Sequence, residues 1–146
     1  MKRIFLLIPL LFALLAFAGC SSADDSDISA SDLEKAQAIA VIDSSGTTLQ
    51  TITDQSAIKD FVTNLDVDHW ELSDLPSDAQ IIGQFGLSQE KTIHFGEKEH
   101  DDTLYDVAQL TLYDSHTLRA RLLSFDFDFD FNLPDDAYEY LAAYFA

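Results

Sequence analysis

Positive charge is what this chain has least of. Eight lysines and arginines stand against 26 aspartates and glutamates, a formal net charge of −18. Binding a phosphate backbone needs Lys and Arg to displace condensed counterions, so nucleic acid is excluded as a partner. Cysteine is nearly absent as well. Cys20 is alone, so no intramolecular disulfide can form and the core must be stable without one. The usual marks of catalysis are missing: no Gly-x-Ser-x-Gly elbow, no His-Glu-x-x-His pair, no glycine-rich phosphate loop. Carboxylates abound, but nothing singles out two of them for acid–base work. No enzyme is expected. No internal repeat is visible at twenty to fifty residues either.

The first segment, MKRIFLLIPLLFALLAFAGC, does not belong to the fold. Lys2 and Arg3 precede an apolar run of fifteen residues from Ile4 to Ala18, shorter than the roughly 20 residues of a spanning helix. The run ends in the small residues Ala18 and Gly19, directly before the only cysteine. Here the chain resembles a bacterial lipoprotein precursor, with Phe17-Ala-Gly-Cys20 as its lipobox. It departs from the usual pattern at Phe17, where leucine is commonest. The resemblance covers residues 1 to about 22 only, and no domain family is resembled beyond them. It implies removal of residues 1–19 and covalent acylation of Cys20, with no other cofactor. Two or three acyl chains, at about 0.8 kcal/mol per buried methylene, hold a small domain at a membrane without spanning it. Cleavage would remove two of the eight basic residues and none of the acidic ones. The remainder would carry −20, six positive charges against 26 negative. Such a domain is repelled by anionic headgroups.

Residues 20–33, rich in Ser, Ala and Asp, read as a flexible tether, and 34–146 as one globular domain. The stretches 36–43 and 47–53, broken by Ser44-Ser45-Gly46, read as a hairpin. Asp54 can cap a helix over about 55–65, where Ile58, Phe61, Val62 and Leu65 share one face. Residues 66–79 read as a loop with Trp70 at the edge of the core. Four strands follow, at 79–85, 91–95, 104–114 and 117–131, as a meander, and Pro134, Asp135 and Asp136 open a last helix. The expected fold class is α+β: an antiparallel sheet built as hairpin, helix, four-strand meander and C-terminal helix, with the helices on one face.

Two stretches are candidate sites. In Ser124-Phe-Asp-Phe-Asp-Phe-Asp-Phe-Asn132 the phenylalanines share one side of a strand and Asp126, Asp128 and Asp130 the other. Each buried Phe contributes roughly 1.5–3 kcal/mol, so the Phe side reads as core. Neighbouring carboxylates lie about 7 Å apart along a strand and repel by about 0.6 kcal/mol, a small opposing cost. The spacing imitates the opening of a calcium loop, but Phe131 and Ala137 stand where Gly and Glu are needed. The Asp side is therefore a solvated face or a docking strip. The second candidate is the 94–102 loop, where His94, His100 and Asp102 are ligand types suited to zinc or copper. These features point to a lipid-anchored, non-enzymatic binding module of the cell envelope, outside the cytoplasm, whose acidic surface engages a basic protein. The alternative is an envelope lipoprotein that captures a small ligand or metal.

Overall fold

A computed structural model describes residues 28–90, 103–123 and 126–146. In chain order the elements are α1 (Ala30–Leu33), β1 (Ala38–Asp43), β2 (Thr48–Ile52), α2 (Gln55–Leu65), β3 (Glu71–Leu72), β4 (Ile81–Glu90), β5 (Leu104–Tyr113), β6 (Thr117–Leu122), β7 (Phe127–Asn132) and α3 (Asp135–Ala142). The strands form one antiparallel sheet in the order β2-β1-β4-β5-β6-β7-β3. The α+β class holds, with both longer helices packed on the same core.

The local reasons are legible. Asp43 turns the first hairpin: its carboxylate accepts from Ser45 N and Thr47 N, both at 2.9 Å, and Gly46 takes the positive φ of 87° that closes the turn. Asp54 caps α2 by accepting from Ser56 N and Ala57 N. Ile58, Phe61, Val62 and Leu65 are then all buried. They meet Ile39 and Val41 of β1, Phe85 and Leu87 of β4 and Leu110 and Leu112 of β5 in one cluster. Phe61 stands 5.1 Å from Phe85 between ring centroids, and Tyr144, past α3, lies 5.9 Å from Phe61. Gly83 of β4 leaves room for the ring of Phe145, which a Cβ there would strike.

Four expectations are corrected. Residues 117–131 are not one strand: the chain reverses after β6, and β7 pairs back on it from Thr117↔Asn132 to Leu122↔Phe127. Asp126 makes part of that reversal with φ 54°, a left-handed conformation that Asp tolerates better than most residues. Residues 66–79 are not loop throughout, because Glu71 and Leu72 pair with Asn132 and Phe131. The segment given to a tether up to residue 33 already contains α1, whose Leu33 is buried, while Ile28 and Ala30 pack on the core. Finally, β4 runs on to Glu90; the separate strand expected at 91–95 lies outside the described residues, as does Cys20. Among the described residues no helix is long and apolar enough to cross a membrane.

The sheet has two distinct ends. At one lie the start of β1, the end of β4, the start of β5, the end of β6 and the start of β7, as the pairs Ala38↔Ser88, Glu90↔Leu104 and Leu122↔Phe127 show. We call it the entry end, because the chain enters the sheet there. The turns after β1 and β5 mark the far end.

Candidate functional site

The Asp strip sits on β7, and the hairpin register decides its chemistry. Arg119 faces Asp130 and Arg121 faces Asp128 across the β6–β7 ladder. Each arginine then grips its carboxylate with two hydrogen bonds. Arg119 Nε and Nη2 donate to the two oxygens of Asp130 at 2.7 and 3.0 Å. Arg121 donates in the same way to Asp128 at 2.6 and 2.8 Å. This planar fork is the strongest geometry an arginine offers a carboxylate. The hydrogen bonds from Arg121 hold the Asp128 carboxyl below its ordinary range, and both guanidiniums are raised above theirs by the same bonds. Asp126, exposed at the turn, lies outside this ladder.

The forks continue across the sheet face turned away from the helices. Arg119 lies opposite Thr111 and Arg121 opposite Gln109. Gln109 donates to Gln84 at 2.8 Å, and Ser88 donates to Asp106 at 2.8 Å. The face is a polar layer whose groups largely satisfy one another, so Asp128 and Asp130 are not spare charges waiting for a cation.

The Phe side differs from expectation in the opposite direction. Phe127, Phe129 and Phe131 do share the helix side, facing Leu122, Ala120 and Leu118, but none of the three is buried. Phe127 is 62% exposed and Phe129 and Phe131 are half-buried. The physical reason is reach: α2 and α3 cover the middle strands, and β7 is next to the edge of the sheet. Trp70 covers part of it, its ring 5.3 Å from Phe131 and its Nε1 donating to Leu65 O at 2.7 Å. Trp70 thus plugs the core edge as expected, instead of presenting itself to a ligand. Phe125 lies outside the described residues.

His94, His100 and Asp102 also lie outside the described residues. Among the described residues no group of three His, Cys, Asp or Glu is placed to hold a metal ion.

Two features escaped the sequence reading. The first is at the far end. Asp43 and Asp114 sit at its turns, Asp78 precedes β4, and Asp135 and Asp136 open α3. Among the described residues no lysine or arginine pairs with these carboxylates; His116 stands beside them, its Nε2 3.9 Å from Asp135 and its ring stacked on Tyr138 at 3.8 Å. Nearby, Asp66 hydrogen-bonds His69 at 2.7 Å and raises its pKa. The second feature is at the entry end, where Leu104, Tyr105, Leu123 and Phe127 are each more than 40% exposed. Spacing reveals neither, because each gathers residues from separate strands.

No protein-family model, curated protein or solved structure matches this chain.

Proposed function

We propose that this chain is a lipid-anchored, non-enzymatic binding module of the cell envelope, held at Cys20, whose acidic surface engages a basic protein partner. The charge balance left after internal pairing supports this reading. The described residues hold four lysines and arginines. Three of them are in ion pairs, Lys35 with Asp32, Arg119 with Asp130 and Arg121 with Asp128. Among the described residues no lysine or arginine is paired with the carboxylates of the far end. A field of one sign attracts an oppositely charged protein over long range and raises association rates more than affinity. The docking strip first read on β7 is a weaker candidate than the far end, because two of its three carboxylates are already neutralised.

The test uses the chain from Cys20 onward as bait in detergent-solubilised envelope. One variant bait carries Asp78→Asn, Asp135→Asn and Asp136→Asn; another carries Asp126→Asn, Asp128→Asn and Asp130→Asn. The expected result is a basic protein held at low salt, released as salt rises, lost by the first variant and kept by the second. Capture that ignores both salt and the far-end variant sinks the reading. Anchoring is read separately by metabolic labelling with an alkynyl fatty acid: label on the native chain and none on Cys20→Ala is expected.

A further inference from the structure

The entry end carries a patch that neither the core nor the acidic surface explains. Leu104 and Tyr105 begin β5, Leu123 follows β6 and Phe127 begins β7, and these three strands are neighbours in the sheet. Leu123 N donates to Val107 O at 3.2 Å, which brings the β6 end against the β5 start. Leu122, between them, faces both Ala108 and Phe127. Exposures are 42% for Leu104, 45% for Tyr105, 44% for Leu123 and 62% for Phe127. Leu104 and Tyr105 are successive on β5 and point to opposite faces, so the four residues make an apolar rim around this end of the sheet, where scattered single side chains would need no explanation.

The length of chain beyond the structure says which contact. Eight residue steps separate Cys20 from Ile28, which reach at most about 29 Å when fully extended. Ile28 packs on the core, and ten residues later the chain enters β1 at this same end. From an anchor at Cys20 the chain therefore meets the sheet first at its entry end. The far end stands a further strand length away, about 33 Å for the ten residues of β5. A short tether also keeps the local concentration of lipid high, so a contact too weak for a free protein becomes populated. Tyrosine is moreover a side chain favoured at headgroup level.

We infer that the apolar edge formed by Leu104, Tyr105, Leu123 and Phe127 rests in the interface of the bilayer that anchors the chain, turning the acidic far end outward toward its partner. This rests on the anchored reading of Cys20. The contact is apolar and sits beside Glu90 and Asp126, so anionic lipid weakens it and salt restores it, opposite to the salt response of a basic partner.

The sole cysteine makes the test independent of biological acylation. The chain from Cys20 onward is coupled through that thiol to maleimide-headgroup lipid in phosphatidylcholine vesicles with brominated acyl chains. Two reporters are compared with the native chain: Leu123→Trp at the patch and Leu72→Trp on the exposed far-end strand β3. The expected result is a blue-shifted Leu123→Trp emission, quenched several-fold more than that of Leu72→Trp. Equal quenching, or none, overturns the inference. Hydrogen exchange on the unsubstituted chain covers the case in which a reporter variant misfolds. Tethering should slow residues 104–107 and 122–123 relative to the same chain capped with soluble maleimide, and leave 113–117 unchanged. No slowing overturns the inference, and slowing that follows protein density on the vesicle assigns the edge to a second copy instead. Failure of fatty-acid labelling with a positive vesicle result would remove the anchor but not the patch's affinity for lipid.

Discussion

Phe85 and Phe127 are the same side chain on the same side of the same sheet, yet one is fully buried and the other 62% exposed. Phe85 lies on β4, beneath Phe61 of α2 and Tyr144 beyond α3, with ring centroids at 5.1 and 5.5 Å. Phe127 lies on β7, past the reach of either helix. The middle of the sheet is held by a dry core. The β7 flank is held by backbone pairing to β6 and two arginine forks, with a half-covered aromatic row behind them, while Leu118 and Ala120 of β6 still belong to the core. Alternation along a strand decides which side chains share a face; only the neighbouring layer decides whether that face is dry.

Substitution can break this contrast. In the covered half, Phe61→Ala should lose about 3–5 kcal/mol in urea unfolding, since it empties a site with no solvent access. On the flank, Phe127→Ala should stay within about 0.5 kcal/mol of the native chain. Equal losses would mean that the two regions are not distinct. Next in size is Gly83→Ala, whose new methyl meets the Phe145 ring; displacing that ring should cost roughly 1–3 kcal/mol. The loss should shrink when Phe145→Ala is added, a coupling that a two-variant cycle reads directly.

The Arg119–Asp130 fork is expected to give a smaller coupling. The two side chains are 33% and 18% exposed, so Arg119→Gln with Asp130→Asn should show about 1 kcal/mol of interaction at low salt and less at high salt. The more exposed Arg121–Asp128 fork should couple more weakly still, and the ordering of the two is the measurement.

The acid limb sharpens the same comparison. Asp128 titrates below its ordinary value because of Arg121, and Asp43 and Asp54 do so because of hydrogen bonds from Ser45 and Ser56 respectively. A carboxyl lowered by folding stabilises fully above its unfolded value near 4, and that contribution disappears as pH falls through the lower folded value. The urea midpoint should therefore drop below about pH 4, and Arg121→Gln should flatten part of that drop. His69 has the opposite sign, being raised by the Asp66 hydrogen bond. Its contribution is present below about pH 6.5 and fades as pH rises through the raised value. It should give the smallest signal, a slight decline toward alkaline pH that His69→Gln removes.

Much of this arrangement could be read from the residues. The apolar quartet of α2, its Asp54 cap and the Ser44–Gly46 turn are local, and local chemistry fixes them. The β6–β7 reversal was also written in the chain, though less plainly. The apolar positions run even through Leu118, Ala120 and Leu122, then odd through Phe127, Phe129 and Phe131. A strand cannot change phase without a bend. The charges say the same, since Arg119 and Arg121 complement Asp130 and Asp128 in reverse order. No glycine or proline marks the bend, which is why turn chemistry alone misses it. The far-end carboxylates and the entry-end patch had no such signal, because each is assembled by strand order.

The paired forks also act on how the hairpin closes. Sliding β7 by one residue against β6 would turn its phenylalanines to the polar face. Sliding it by two keeps every side chain on its proper face, the error that greasy and wet alternation alone cannot detect. With Arg119 moved onto Asp128, Arg121 would stand against Asp126 at the bend, and Asp130 would be stranded without its cation. Two teeth on one key admit a single seating, so the strand most uniform in its sequence is the one with the least freedom to misalign.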